Sequence, residues 1–263
     1  MVFATNGVIT KISDYGNSDK LLSMITPKGR ISVMVKGSKS PTSKLSAISQ
    51  MFSYGNYEIY EKNNAYWLKG GSIITSFYEL TRDIASLSLA TYLCDLANEF
   101  TDEGIEDDEI MRLLLNSLHL ICQNKKKKEL IKGVFEFRAM CLSGYMPRIS
   151  ACVWCGEFEA PDNYLDVSGG KVICAKCLSE KNKKIPKISK EFEYNDYRGA
   201  MCPVSSSTLA ALRYIERASS SKVFSFELTD STDLSDFSKV CETYLLEHLG
   251  RGFESLDFYK TVK

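Results

Sequence analysis

Alternation of apolar and polar positions dominates the first 78 residues. Residues 7–13 read as a strand, and Asp14-Tyr15-Gly16-Asn17-Ser18-Asp19 reads as the turn that ends it. A second strand covers 20–26. Pro27-Lys28-Gly29 makes a tight hairpin into 30–36, where Ile31, Val33 and Val35 fall on one face and Ser32, Met34 and Lys36 on the other. A polar stretch, 37–44, precedes a short helical turn over 45–50. Residues 54–61 and 65–74 supply two further strands around Lys62-Asn63-Asn64. Five strands interrupted after the third is the order of an OB-fold, a small Greek-key barrel. An SH3-like barrel also uses five short strands, but the break between strands three and four favours the OB order.

From Glu79 the period changes to that of a helix. Ile84, Leu87, Thr91 and, a turn later, Leu96 and Phe100 follow helical spacing. Residues 106–122 form a second helix, with Ile110, Leu113, Leu114, Leu118 and Ile121 apolar. Residues 126–142 form a third, carrying Leu130, Val134, Phe137 and Cys141; Gly144 stops it and Pro147 prevents its resumption. Stripes of this kind are buried against one another, which implies a bundle. Residues 148–190 are short and turn-rich. Helical signals then return: Ser205, Ser206 and Ser207 offer N-cap hydroxyls before Leu209, Leu212 and Ile215. A last helix, 234–249, carries Leu234, Phe237, Cys241, Tyr244 and Leu245 and closes at Gly250. The fold class expected is therefore α+β: an OB-fold β-barrel domain over 1–78, then an α-helical domain in two parts, 79–147 and 191–263, with residues 148–190 inserted between them. No internal repeat of 20–50 residues is visible.

Composition adds exclusions. The 263 residues are 44% hydrophobic and 25% charged, the profile of an ordinary folded chain. No apolar run approaches the roughly 18 residues that a membrane helix needs. The opening Met-Val-Phe-Ala-Thr-Asn-Gly has no basic region and no apolar stretch before a cleavage site, so secretion is not expected. With 33 basic and 33 acidic side chains the net charge is zero, and any basic surface has to be local.

The nine cysteines carry the clearest chemistry. Cys94, Cys122, Cys141, Cys202 and Cys241 are scattered, three of them in apolar helical patterns where a free thiol acts as a small hydrophobe. The other four form two pairs, Cys152-Val-Trp-Cys155 and Cys174-Ala-Lys-Cys177, with eighteen residues between them. That spacing matches a four-thiolate zinc site. The intervening segment, with Pro161, Gly169 and Gly170, can return as a β-hairpin. Four thiolates leave no open position for water, so the Zn²⁺ is expected to be structural, holding together a segment too small for its own core. A thioredoxin-like role lacks its context, because neither pair sits at a strand-to-helix junction of a βαβ unit. Free thiols beside a metal cluster fit a reducing cytoplasm.

The barrel half carries a second signal. No acidic residue occurs between Asp19 and Glu58, while Lys20, Lys28, Arg30, Lys36, Lys39 and Lys44 do. Gly37, Ser38, Ser40, Thr42 and Ser43 add backbone and hydroxyl donors. Lysines on one barrel face, interleaved with aromatic candidates Tyr15, Tyr54, Tyr57 and Tyr60, suit single-stranded nucleic acid: cations track phosphates and rings stack on bases. The bland alternative is a solvated loop. Lys125–Lys128 reads as a solvated helix start. A later cluster, Lys181, Lys183, Lys184, Lys187 and Lys190, reads as a soluble linker or as an extension of a DNA path. The acidic stretch 99–109 reads as an exposed inter-helix loop. His119 lies in an apolar helix and reads as a packed core residue, and His248 lies at a helix C-terminus. No nucleophile–base pair and no phosphate loop stands out, so no covalent chemistry is expected.

These residues bring a resemblance into view. Asp14-Tyr15-Gly16-Asn17-Ser18-Asp19-Lys20-Leu21-Leu22 follows Gly7-Val8-Ile9, and Thr26-Pro27-Lys28-Gly29-Arg30-Ile31 runs into Val35-Lys36-Gly37-Ser38-Lys39-Ser40-Pro41. Phe135-Glu136-Phe137-Arg138 and Ser143-Gly144-Tyr145-Met146-Pro147 precede the cysteine pairs. Lys222-Val223-Phe224, Tyr244-Leu245-Leu246-Glu247-His248-Leu249 and Ser255-Leu256 close the set. In this order, over essentially the whole chain, they resemble the bacterial RecO family of DNA repair proteins. The resemblance implies an OB-fold, a helical domain and an inserted zinc finger. It implies binding of single- and double-stranded DNA, annealing of complementary strands, and assistance, with RecR, in loading RecA onto SSB-coated DNA in the cytoplasm at the nucleoid. It also implies contact with the acidic, phenylalanine-ended C-terminal tail of SSB. Two departures stand out. Family members often carry two arginines in the stretch where this chain has Lys36-Gly37-Ser38-Lys39-Ser40, so one cation is missing at Ser40. Some relatives lack the cysteines, which favours a structural metal.

Three functional readings follow. In the first, Lys28, Arg30, Lys36, Lys39 and Lys44 hold DNA. In the second, an OB-fold with a four-cysteine module belongs to a DNA ligase; that requires a Lys-x-Asp-Gly adenylation motif, which is absent. In the third, the chain is an interaction scaffold with incidental DNA binding, and Arg213, Arg217, Tyr244 and Arg251 supply the cation and apolar wall of a groove for an acidic tail.

Overall fold

Five strands of seven to fourteen residues close into a ring. The computed structural model describes residues 1–40, 43–106, 108–184 and 201–263, with the side chains of 181–184 left aside. The strands are β1 (Val2–Tyr15), β2 (Asp19–Thr26), β3 (Gly29–Val35), β4 (Ser53–Lys62) and β5 (Ala65–Ser76), and the barrel order is β1-β2-β3-β5-β4. β1 pairs with β4 through its first half and with β2 through its second, with a register shift at Ile9/Lys11. A bulge there bends the strand, which lets one long strand serve both neighbours. The ring shuts where β3 meets β5 in parallel, Val33 beside Tyr66 and Met34 beside Trp67. Inside lie Ile9, Leu22, Met24, Val33, Val35, Tyr57, Ile59 and Leu68. The short α1 (Lys44–Ile48) stands between β3 and β4 and lays Leu45 and Ile48 on this core. All five strands expected from alternation are present.

Contacts sort the described residues into two compact units, Met1–Lys128 with Phe253–Lys263, and Glu129–Gly252. In the first unit, α2 (Ile84–Glu99) packs against the barrel, against α3 (Glu109–Gln123) and against α8 (Glu254–Val262). Asn98 of α2 fastens it to the barrel, its Oδ1 accepting hydrogen bonds from Thr10 at 2.7 Å and Ser23 at 3.0 Å. Tyr92 meets Phe253 edge-on, and Ser255 donates to Asp95 at 2.6 Å. The α2 N-terminus is capped by Asp83, which accepts from Ser86 N–H and Oγ. Residues 102–106 of the acidic stretch are exposed, as expected, but the backbone there is docked: Arg30 N–H donates to the Asp102 carbonyl at 3.1 Å, beside a Gly29–Glu103 bridge. Gly29 is required here. Its φ is +91°, and a Cβ would run into the Asp102 carbonyl.

In the second unit, α4 (Lys128–Leu142) is buried on nearly every side. Gly133 admits the ring of Phe237 from α7 (Ser231–Leu249); a Cβ would stand 2.6 Å from it. Lys132 bridges Glu136, 2.9 Å away, and Glu242, 2.8 Å away. Arg138 donates to the carbonyls of Ile215 and Glu216 at the end of α6 (Ser206–Arg217), which Ser205 caps as expected. The cysteine region folds as the expected hairpin, β6 (Asn163–Asp166) with β7 (Lys171–Cys174). It runs into α5 (Ala175–Lys184) and is widened by β8 (Met201–Val204) in the order β7-β6-β8. Sequence periodicity points to neither β8 nor α8.

Candidate nucleic-acid interface and metal centre

The loop after β3 folds back on the β1–β2 hairpin. Lys39 N–H donates to the Ser18 carbonyl at 3.1 Å, and Gly37 N–H donates to Asp19 Oδ1 at 2.9 Å. The hydrogen bond from Gly37, that from Ser18, and the charges of Lys36 and Lys39 hold the Asp19 carboxyl below its ordinary range. Lys39 Nζ reaches the Gly16 carbonyl at 3.2 Å and lies 3.3 Å from the Asp14 carboxylate. A segment free of acids in sequence therefore meets two carboxylates in space. Ser38 is buried, its hydroxyl donating to Val35. Lys36, Lys39 and Lys44 are exposed and lie at or after the end of β3. Lys36 Nζ stands 4.8 Å above the centre of the Trp67 ring.

Lys28 and Arg30 lie at the other end of β3, beside the acidic loop. Arg30 and Lys36 are six positions apart along the chain, roughly 20 Å in an extended strand. The five cations expected to hold DNA thus fall into two groups, Lys36, Lys39 and Lys44 in one, Lys28 and Arg30 in the other. Among the aromatic candidates, Tyr15 is exposed, and Tyr54 and Tyr60 are half-buried. Tyr57 is corrected: it is fully buried in the barrel core, donates to the Ser53 carbonyl at 3.2 Å, and burial raises its pKa. Trp67 was not among the candidates. Its place follows from strand register, which no local pattern reveals. Thr42 lies outside the described residues, as do Lys187 and Lys190.

Cys152, Cys155, Cys174 and Cys177 come together as the spacing implies, all four sulfurs within 4.8 Å of one another. Cys152 and Cys155 sit in one turn, closed by Gly156 N–H to the Cys152 carbonyl at 2.9 Å. Cys174 ends β7 and Cys177 lies in the first turn of α5. Cys155 and Cys174 are 3.8 Å apart, and Cys174 N–H donates to Cys152 Sγ at 3.3 Å. A tetrahedral ion with 2.3 Å bonds to sulfur needs edges of about 3.8 Å, so the donor set fits. Burial pushes Cys152 up, but the N–H groups of Cys174, Cys155 and Trp154 outweigh it and bring the thiol down to about 6. Cys177 is pushed up by its contact with Cys155 and by burial, and Cys174 by burial. Four sulfurs this close do not all ionise without a cation, and a bound dication would supply the compensation. Ala160, Ile173, Trp154, Leu178 and Met201 pack around the cluster. The scattered thiols Cys94 and Cys241 are buried, and burial raises both.

In the second unit a groove of about 800 Å³ is lined by Phe158, Leu209, Arg213, Tyr214, Arg217 and Lys222 among others. Arg213 is committed within it: Nε donates to the Ile149 carbonyl at 2.8 Å, Nη2 to the Phe158 carbonyl at 3.1 Å, and the guanidinium stacks on the Phe158 ring. Arg217 is exposed on the rim. Arg251 is exposed but is not among the lining residues. Tyr244 is corrected: it is 2% exposed and spends its hydroxyl on the Tyr145 carbonyl, so it presents no surface. His119 is corrected too, being exposed and paired with Gln123 at 2.7 Å. No helix among the described residues is long and apolar enough to cross a membrane.

These features define a class: a small β-barrel joined in sequence to helices and to an all-cysteine metal-type cluster. Two family models place the chain within it. Recombination protein O N terminal matches residues 1–77, and Recombination protein O C terminal matches residues 81–257. The chain belongs to the RecO family. It is 29% identical over 259 residues to the DNA repair protein RecO of Acetivibrio thermocellus, across 98% of this chain and 96% of that one. With the protein of the same name from Clostridium perfringens it shares 30% identity over 260 residues, 98% of each chain.

Proposed function

We propose that this chain is a DNA-binding recombination mediator that anneals complementary strands and assists RecA loading on SSB-coated single-stranded DNA. In this reading residues 1–78 are an OB-fold DNA-binding domain. The ring order, the parallel closure of β3 on β5 and the helix between β3 and β4 support it. The helices that flank the cysteine segment in sequence are its helical portion, which contacts divide between the barrel's unit and the second unit, and the cysteine segment is an insertion held by structural Zn²⁺ on Cys152, Cys155, Cys174 and Cys177. The protein performs no covalent chemistry; it neutralises phosphates and so lowers repulsion between strands. The observation that carries the reading is the ordered loop at the end of β3, which presents Lys36 and Lys39 on a barrel of this topology. The groove beside Arg217 and Lys222 supports a seat for the acidic SSB tail, with Leu209 and Tyr214 as its apolar wall. RecR is a further partner implied by the family.

Fluorescence annealing of complementary oligonucleotides, with and without SSB, tests the proposal. Acceleration that fades with rising salt is expected. No acceleration at any salt rejects it.

A further inference from the structure

We propose that the outer face of the barrel at Trp67 and Tyr60 is a base-stacking track for single-stranded nucleic acid. The inference rests on the DNA-binding reading above and adds to it the place where bases lie. Successive strand residues point to opposite faces. Ile59 and Leu68 belong to the barrel core, so their neighbours Tyr60 and Trp67 face outward. The register sets Tyr60 directly opposite Trp67, Met34 opposite Trp67 on the other side, Leu21 opposite Met34, and Val2 opposite Tyr60. Opposed side chains stand about 5 Å apart, so these five make a continuous apolar row across the outside of five paired strands.

Such a row serves no purpose in the core, from which all five residues are absent. Its surroundings specify an occupant. Lys36 holds its ammonium 4.8 Å over the Trp67 ring. The exposed Lys69 lies on the same edge of the row, and the exposed Lys62 on the opposite edge; the acidic neighbours are Glu58, flanking Tyr60, and Asp19, two positions from Leu21 on β2 and close to Lys36. Flat aromatic faces with lysines on both edges match a chain of planar bases on an anionic backbone. They do not match an acidic peptide, which has no ring at every unit. Stacking of this kind is indifferent to base identity, as annealing of arbitrary sequences requires.

The chain has two tryptophans, Trp67 and Trp154, so W154F leaves Trp67 as sole reporter. Titration of W154F with an oligothymidylate should quench its emission, saturating at the same concentration as the anisotropy of the labelled oligonucleotide. In the native background W67A should weaken binding by about 5- to 150-fold, the range for loss of one stacked base, and W67F should restore most of it. Full-affinity binding by W154F without any change in Trp67 emission overturns the track while leaving the DNA-binding reading intact. Absence of both signals removes that reading first and the track with it. An emission shift that follows protein concentration without DNA assigns the face to self-association and overturns the track as well.

Discussion

The Lys39 ammonium lies 3.3 Å from the Asp14 carboxylate, tying the loop after β3 to the tip of the β1–β2 hairpin. The contact orders a loop that would otherwise lose entropy on meeting a ligand. It also places an anion where a phosphate would sit. Asp14 is largely exposed, so the pair is easily exchanged.

Replacing Asp14 therefore releases a cation at small structural cost. D14N should tighten oligonucleotide binding by about 2- to 5-fold at low salt, a gain that shrinks as salt screens the pair. Fluorescence anisotropy measures it, and unchanged affinity at low salt would show that Lys39 does not meet phosphate.

The four cysteines predict one zinc per chain in protein purified without chelator. C152S and C174S should each abolish it, because three thiolates do not close the tetrahedron. Amide exchange should then accelerate across β6 and β7. Retention of slow exchange in a zinc-free variant would show that the hairpin stands on its own packing.

Lys132 is 3% exposed between Glu136, fully buried, and Glu242. Burial alone lowers its pKa, but the two carboxylates outweigh burial and raise it. Its contribution is thus complete below the unfolded lysine pKa and is lost only as pH rises through the higher folded value. K132M takes the cation away from two carboxylates, one of them fully buried, and should cost about 3–5 kcal/mol in denaturant unfolding. K132M/E136Q/E242Q should recover part of that loss, and a K132M chain as stable as the native one would contradict the account.

Asp83 caps α2, and hydrogen bonds from Ser86, from Lys128 and from the Ser86 backbone hold its carboxyl at about 2, against an ordinary 3.8. A depressed pKa gives stability that is present above about pH 4 and lost as pH falls towards 2. D83A should cost about 1 kcal/mol at neutral pH. The difference from the native chain should close over that acidic window, as thermal melts across pH will reveal. A gap independent of pH would mean the cap acts without its charge.

Much of this architecture is legible in the sequence because its signals are local. Period-two runs such as Ile31, Val33 and Val35 mark strands, and two CxxC pairs mark a metal site. What is illegible is non-local. The stretch from Lys20 to Tyr57 contains no acid, yet folding returns Asp14 and Asp19 to its loop and Asp102 to its hairpin. Tyr57 and Tyr60 look alike in sequence, but strand register sends one into the core and leaves the other outside beside Trp67. The edge strand β8 takes its pairing from β6, and the nine-residue α8 is anchored by Tyr92 and Asp95, far away in the chain.

The cationic loop at the end of β3 is the centre of the account, and the salt dependence of single-strand binding tests it most directly. The slope of log affinity against log salt should flatten by about 0.7 for each phosphate contact removed, hence by about 1.4 in K36Q/K39Q. An identical slope in native and variant proteins would place the DNA elsewhere.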